Sequence, residues 1–395
     1  MIRFPYSKQS ITSDDISAVN RVLAAPFLTQ GPEIRKFEIA FERVTGARNA
    51  VAVSNGTAAL HLAYVAAGVS RSKGLICPPV TFLATAAAAK LLCAPVAFSD
   101  VDPITGLMTP ETLRAAFEKV SFDIAAVTCV HLGGRMCDLS GLKEVCDEYG
   151  ALLIEDACHA PGAKHTLRDG RTVAAGSCEI ADYAAFSFHP VKHIAMGEGG
   201  AVCCKRPEDF SRLSTLRNHG IDRSKETLPI DQEVGPWSYV NTEIGWNYRL
   251  TDIQAALGSS QLMRFKSSLD RRRMLSRIYD QSLSAIDHVT PAMQPDNPSE
   301  HSWHLYAVAL DFACIGKSRS EVMEDLAVKG IGTQVHYIPL YRHPTYAACG
   351  RSSDFPGAEQ YYQNTLSIPL YPGLMPDDID LISHALAEVL DTKNN

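Results

Sequence analysis

Through its first 210 residues the chain alternates short apolar runs with segments of helical character, and this alternation restricts the fold more than any other feature. The runs are ARNAVAVS (47–54), GLICPPVTF (74–82), APVAFSDV (94–101), DIAAVTCVHL (123–132), ALLIEDA (151–157), ADYAAFSF (181–188) and GGAVCCK (199–205). They are apolar at consecutive rather than alternate positions, as strands covered on both faces are. Between them TAALHLAYVAAG, the alanine-rich ATAAAAKLLC and a segment opening at Pro110, with Glu111 in its first turn, read as helices. Strands spaced by helices predict an α/β architecture around a large, mainly parallel sheet. The short gap between ADYAAFSF and GGAVCCK also allows an antiparallel or mixed edge.

From Thr251 the texture changes. Residues 251–286 are helical in period and charged on one side, and the proline-rich TPAMQPDNPSEH (290–301) reads as a loop. WHLYAVAL (303–310), a helix near 318–329, GIGTQVHYI (330–338) and a last helix from about Asp377 suggest a smaller α+β unit. The expected division is an N-terminal arm at 1–14, a large domain at 15–255 and a small C-terminal domain at 256–395.

Lys and Arg total 37 against 44 Asp and Glu, a formal net charge of −7 with no basic run. That balance argues against nucleic acid or an anionic membrane as partner. The 11 cysteines are odd in number and contain no C-x-x-C pair, so neither a disulfide framework nor a metal site is signalled. No leader-like apolar region opens MIRFPYSKQS and no 18-residue apolar stretch occurs, so a cytoplasmic protein is expected.

Three segments carry candidate chemistry. SNGTAAL (54–60) joins a strand to a helix, where free N–H groups and the Thr57 hydroxyl can hold a phosphate and Gly56 permits close approach. It is equally a plain turn capped by Ser54 or Asn55. In ALLIEDACHA (151–160), Asp156 ends a strand at the edge where α/β proteins bind ligands, with His159 one turn on. A capping carboxylate beside a structural histidine fits the same pattern. In SFHPVKHIAMGEGGAV (187–202), Lys192 lies between apolar residues and a glycine-rich turn. Burial and nearby positive charge would lower its pKa and make it nucleophilic, although a surface lysine on a loop is the ordinary alternative.

In this order, a phosphate cradle, a strand-end carboxylate and a lysine are what pyridoxal phosphate requires. The lysine binds the aldehyde, and the carboxylate keeps the pyridine nitrogen protonated so that the ring accepts electrons. Phe82 is placed either to lie on that ring or to pack in the core.

These motifs, together with LTQGP (28–32), GWNYRLTDIQAALGSSQL (245–262) and QVHYIPLY (334–341), resemble the DegT/DnrJ/EryC1/StrS sugar aminotransferases along nearly the whole chain. The resemblance implies a fold-type I pyridoxal-phosphate transferase that takes its amino group from L-glutamate. It also implies a UDP-linked 4-keto-6-deoxy-N-acetylhexosamine as acceptor. In a chain of this kind Lys192, Asp156 and His159 are the catalytic residues, and Gly56, Thr57, Ala58, Phe82, Ser187 and Asn247 help to bind the cofactor. Asn247 would reach the neighbouring subunit's cofactor, so that a homodimer shares its sites. Tyr6, Phe27, Leu28, Thr29, Gln334, His336 and Tyr337 would line the sugar pocket. The chain departs from the usual pattern at His193–Met196 after the lysine and at Arg135 and Met136.

Other functions weigh less. A sugar dehydratase of this family has histidine where Lys192 stands, and a non-catalytic binder would not need Lys192, Asp156 and Ser187 together. GEGG (197–200) is not the G-x-G-x-x-G of a nicotinamide enzyme.

Overall fold

A computed structural model describes residues 2–224, 235–295 and 297–391. Helices α1 (Ser13–Leu23) and α2 (Pro32–Thr45) lead into β1 (Asn49–Val53), α3 (Gly56–Ala66), β2 (Gly74–Cys77), α4 (Ala84–Lys90) and β3 (Val96–Phe98). Then follow α5 (Pro110–Lys119), β4 (Ile124–Val130), α6 (Leu139–Glu148), β5 (Leu152–Asp156), the small hairpin β6 (Lys164–Thr166) and β7 (Thr172–Ala174), β8 (Tyr183–Ser187) and β9 (Gly200–Cys204). Helix α7 (Pro207–Leu216), the short pair β10 (Ile221–Asp222) and β11 (Val240–Asn241), α8 (Asp252–Met263) and α9 (Phe265–Leu283) lead out of this part. The remainder comprises β12 (Val289–Pro291), β13 (Tyr306–Leu310), α10 (Phe312–Ile315), α11 (Arg319–Val328), α12 (Pro356–Asn364), β14 (Thr365–Ile368) and α13 (Pro376–Leu390).

Seven strands form the main sheet in the order β1-β9-β8-β5-β4-β2-β3. β9 is antiparallel to both its neighbours and the other pairings are parallel. The antiparallel strand therefore lies inside the sheet, not at an edge. Strands are shorter than their apolar runs: GLICPPVTF pairs only as far as Cys77, because Pro78 and Pro79 have no N–H to offer. Helix α3 is buried nearly all round, from Ala58 to Tyr64, which is why its sequence shows no polar face.

The second core joins β12-β13-β14, an antiparallel sheet, to α9, α11 and α13 through residues such as Leu275, Tyr306, Leu326, Leu366 and Leu386. The long helical stretch after Thr251 is two helices, broken at Arg264. GIGTQVHYI forms no regular strand; Ile331 bridges to Phe4 and Gln334 to Ser367, one contact on each side. The N-terminal arm is fastened here, with the N–H groups of Arg3 and Phe4 on Gly330 O at 2.7 and 2.9 Å and Phe4 buried in this core.

Asp252 caps a helix, but not its own. Its carboxylate accepts the N–H groups of Gly31 (2.8 Å) and Glu33 (3.0 Å), closing the N-terminus of α2, while Thr251 and Gln254 cap α8. All 11 cysteines are free thiols. Among the described residues no helix is long and apolar enough to cross a membrane.

Candidate active site

The C-terminal ends of the parallel strands converge on a cavity of about 740 Å³. β5 delivers Asp156 there and β8 delivers Ser187. Because β9 runs backwards, Gly200 pairs with both Ser187 and Val53 at that same end. The connection of residues 188–199, with Lys192 on it, thus leaves and re-enters the sheet at the ligand-binding edge.

Asn55 is the N-cap of α3, and its side chain accepts the Ala58 N–H at 2.9 Å. The N–H groups of Gly56 and Thr57, at the first two helical positions, are left to the cavity that both residues line. Two glycines let this loop nest in place. A Cβ on Gly56 would stand 2.9 Å from Ser187 Cβ, and one on Gly200 would stand 2.4 Å from Asn55 O. Gly56, Thr57 and Ser187 therefore meet in one backbone-lined cradle suited to a phosphate.

Asp156 is buried, accepting Thr85 Oγ1 at 2.8 Å and the Cys158 N–H at 3.2 Å. Lys192 is half-buried in the cavity wall. Burial pulls its amine below the ordinary lysine range, against Cys158 and Asp156, which oppose the shift. Desolvation, not neighbouring positive charge, is the cause of this shift. His159 is held between the Gly133 N–H at Nδ1 (3.2 Å) and Tyr337 Oη at Nε2 (3.1 Å). Burial and then Lys192 hold its pKa well below the usual value.

Of the residues expected at the site, Tyr6, Gly56, Thr57, Phe82, Asp156, His159, Ser187, Lys192, Gln334, His336 and Tyr337 line the cavity. Phe82 is 57% exposed, with its ring 6.1 Å from that of Tyr337, so it is not a core aromatic. Ala58 does not line the cavity, and its N–H is taken by Asn55. Phe27, Leu28, Thr29 and Asn247 are exposed and stand outside this chain's own cavity; the turn at 27–29 is tied to α8 through Leu28 O and Thr29.

Sequence reasoning missed Thr81, Thr85 and His304. The threonines sit in and before an alanine-rich helix, and His304 within a run read as an ordinary strand. His304 is buried against His159, ring centroids 4.3 Å apart, and lines the cavity. The fold also gathers Cys129, His131 and Cys137, which spacing did not signal as a metal site. There His131 accepts the Cys137 N–H at Nδ1 and meets Glu155 Oε2 at Nε2, 2.9 Å away.

The family model described as the DegT/DnrJ/EryC1/StrS aminotransferase family matches residues 9–387. The chain is 35% identical over 390 residues to the spore coat polysaccharide biosynthesis protein SpsC of Bacillus subtilis, covering 98% of this chain and 97% of the relative. It is 33% identical over 388 residues to the UDP-4-amino-4,6-dideoxy-N-acetyl-beta-L-altrosamine transaminase of Campylobacter jejuni, with the same coverage. Helicobacter pylori PseC, an aminotransferase of pseudoaminic acid biosynthesis, superposes with a TM-score of 0.86 at 25% identity over 98% of this chain and 99% of that one. The sugar aminotransferase Spr1654 of Streptococcus pneumoniae, described as putative and solved in PLP and PMP forms, gives TM-scores of 0.85 and 0.87 at 26% identity. Those alignments cover 98% of this chain and 98% and 99% of the two Spr1654 chains.

Proposed function

The chain belongs to the DegT/DnrJ/EryC1/StrS aminotransferase family, and from that premise we propose a specific reaction and a set of residues for it. It is a sugar aminotransferase with pyridoxal phosphate as cofactor. The proposed reaction moves the amino group of L-glutamate to C4 of a UDP-linked 4-keto-6-deoxy-N-acetylhexosamine, giving UDP-4-amino-4,6-dideoxy-N-acetyl-β-L-altrosamine in pseudaminic acid biosynthesis. The observation that carries the chemistry is the convergence of Lys192, Asp156 and the Gly56–Thr57–Ser187 cradle on one cavity.

The donor set fits the cofactor. The cradle offers N–H groups and a hydroxyl to a phosphate, Asp156 offers a carboxylate to a pyridinium, and Phe82 offers an exposed aromatic face. When bound, pyridoxal phosphate supplies an aldehyde for amine exchange and a ring that delocalises electrons from the carbon losing its proton. Lys192 Nζ would hold the cofactor's aldehyde between turnovers. Freed by an incoming amine, Lys192 Nζ would take the proton from glutamate Cα, and in the second half-reaction it would return a proton to C4 of the sugar. Its lowered pKa keeps more of the amine in the proton-accepting form. Asp156, held by Thr85 and the Cys158 N–H, would offer its carboxylate to the ring nitrogen and keep it protonated.

Tyr6, Gln334, His336 and Tyr337 are assigned to the sugar nucleotide. Asn247 and the turn Phe27-Leu28-Thr29 are assigned to the partner's site in a homodimer, supported by their exposure outside this chain's own cavity. Eleven free thiols accord with a cytoplasmic enzyme.

Reduction with borohydride in the presence of pyridoxal phosphate should fix the cofactor to Lys192, seen as a mass increment on its peptide. An unlabelled Lys192 overturns the assignment. The sugar is tested by offering UDP-4-keto sugars of the L-arabino and D-xylo configurations side by side with a dTDP-4-keto sugar. Preference for the dTDP-sugar favours the other reading, an aminotransferase for a different nucleotide sugar. The higher identity to SpsC, named for spore coat polysaccharide, keeps that reading in play.

A further inference from the structure

The hydrogen bonds around His159 fix which way every proton in them points. A backbone N–H can only donate, so the Gly133 N–H at 3.2 Å requires a lone pair on His159 Nδ1. The ring proton of the neutral imidazole is then on Nε2, and the 3.1 Å contact with Tyr337 has His159 as donor and Tyr337 Oη as acceptor. A doubly protonated ring is disfavoured twice, by the N–H facing Nδ1 and by burial beside Lys192.

The ring cannot turn over to relax this. Gly133 adopts φ +66°, and a Cβ there would stand 2.4 Å from Met293 Sδ. Its carbonyl is held by the N–H groups of His304 (2.9 Å) and Leu305 (3.2 Å). Ser302 Oγ donates to His159 O at 2.8 Å, and the His304 ring closes one side of the imidazole at 4.3 Å. A flipped ring would set a carbon against the Gly133 N–H and leave it buried without a partner.

Tyr337 lines the cavity, and its hydroxyl proton is not consumed by His159. We infer that Tyr337 is a hydrogen-bond donor of fixed direction toward a ligand oxygen in the cavity, with His159, Gly133 and the 302–304 strap as the groups that position it. The ligand chemistry is an anionic or carbonyl oxygen that accepts one hydrogen bond. Two sources can present it: the ring oxygen of pyridoxal phosphate, or an oxygen of the nucleotide sugar. This inference rests on the proposed aminotransferase site and adds a direction of donation to it.

The test compares wild-type protein, Tyr337→Phe and His159→Phe, all loaded with pyridoxal phosphate. Without substrate, the pH midpoint of the bound cofactor's visible band is titrated; with substrate, KM is measured separately for L-glutamate and for the UDP-4-keto sugar. If the acceptor is the cofactor oxygen, Tyr337→Phe moves the midpoint by about half a pH unit or more. If it is the sugar, the midpoint stays and KM for the sugar rises about 10-fold while that for glutamate does not. His159→Phe should move the same readout in the same direction by less, because Tyr337 remains but its proton is no longer steered. Unchanged midpoint and KM in Tyr337→Phe overturn the inference. A response to Tyr337→Phe that His159→Phe does not share overturns the fixed direction. Wild-type protein that forms no borohydride-stable adduct on Lys192 would instead sink the aminotransferase site on which the inference depends.

Discussion

Thr85 Oγ1 donates a 2.8 Å hydrogen bond to Asp156 Oδ2, so the carboxylate proposed to meet the cofactor ring is held from α4, the helix between β2 and β3. Thr81 Oγ1 lies 2.8 Å from Thr85 Oγ1 and, since the Thr85 proton is used, must be the donor to it. The chain Thr81–Thr85–Asp156 is buried throughout, and with the Cys158 N–H on Oδ1 both carboxylate oxygens are held.

Thr85→Val removes the donor while keeping the shape of the side chain. A hydrogen bond to a charged group contributes about 1.5–3 kcal/mol. Cofactor affinity should therefore fall about 10-fold or more, read by fluorescence titration with pyridoxal phosphate. Asp156→Asn, which cannot keep the ring nitrogen protonated, should cost activity well beyond Thr85→Val. Equal, small effects in both variants would contradict the assigned role of Asp156.

Gly200→Ala should separate cradle geometry from lysine chemistry. The new methyl would stand 2.4 Å from Asn55 O, a backbone atom that cannot swing aside. Overpacking of this kind costs about 1–3 kcal/mol. The variant should lose stability and bind pyridoxal phosphate more weakly, though Lys192 and Asp156 are untouched. Unchanged cofactor affinity by equilibrium dialysis would show that the loop at 55–57 does not hold the phosphate.

The strands of the main sheet were readable because each is buried on both faces and so leaves a run of apolar letters. Lys192 and Asp156 were readable because a lysine among apolar residues and an acid at a strand end contradict their surroundings. Thr85 contradicts nothing, since a threonine in an alanine-rich helix is commonplace until the acid 71 positions later is folded beside it. The helix break at Arg264 was hidden because no glycine or proline marks it. GIGTQVHYI carries strand-like letters but finds only single bridging contacts at Ile331 and Gln334, a matter of what the fold places beside it.

Acid should destabilise the fold in a specific window. Burial pushes His301 and His336 down to about 3, with Arg135 and Arg273 adding to the effect on His301 and Lys192 on His336. Unfolded imidazoles titrate near 6.5, so between about pH 6.5 and 3 the unfolded chain binds more protons. Stability is therefore fully present above about 6.5 and lost as pH falls toward 3. From pH 7 to 5 each of the two should contribute a loss of about 2 kcal/mol. Urea midpoints at pH 7 and 5 measure this, and identical midpoints would contradict it.

Arg272 is a buried guanidinium bonded to three carbonyls, those of Trp303 (3.1 Å), His304 (3.3 Å) and Leu370 (2.9 Å), and burial pulls its pKa down to about 10. Arg272→Leu fills the space but strands those acceptors. A loss of about 3 kcal/mol or more is expected from urea unfolding monitored by tryptophan fluorescence, since Trp303 is the side chain next to the defect. A loss under about 1 kcal/mol would mean that the carbonyls find other partners.

The backward course of β9 also joins a local contact to a distant one. β8 and β9 form a hairpin-like pair from neighbouring sequence, so the loop bearing Lys192 is short and its closure entropy small. β1 must join that pair from the far end of the chain's first half, Val53 meeting Gly200, before the cradle at 55–57 exists. The cradle thus depends on a contact between distant parts of the chain, whereas the Lys192 segment is bounded by a local one. When the β1 edge of the sheet is loosened, cofactor retention should therefore fall before the β8–β9 pairing that bounds the Lys192 segment is lost.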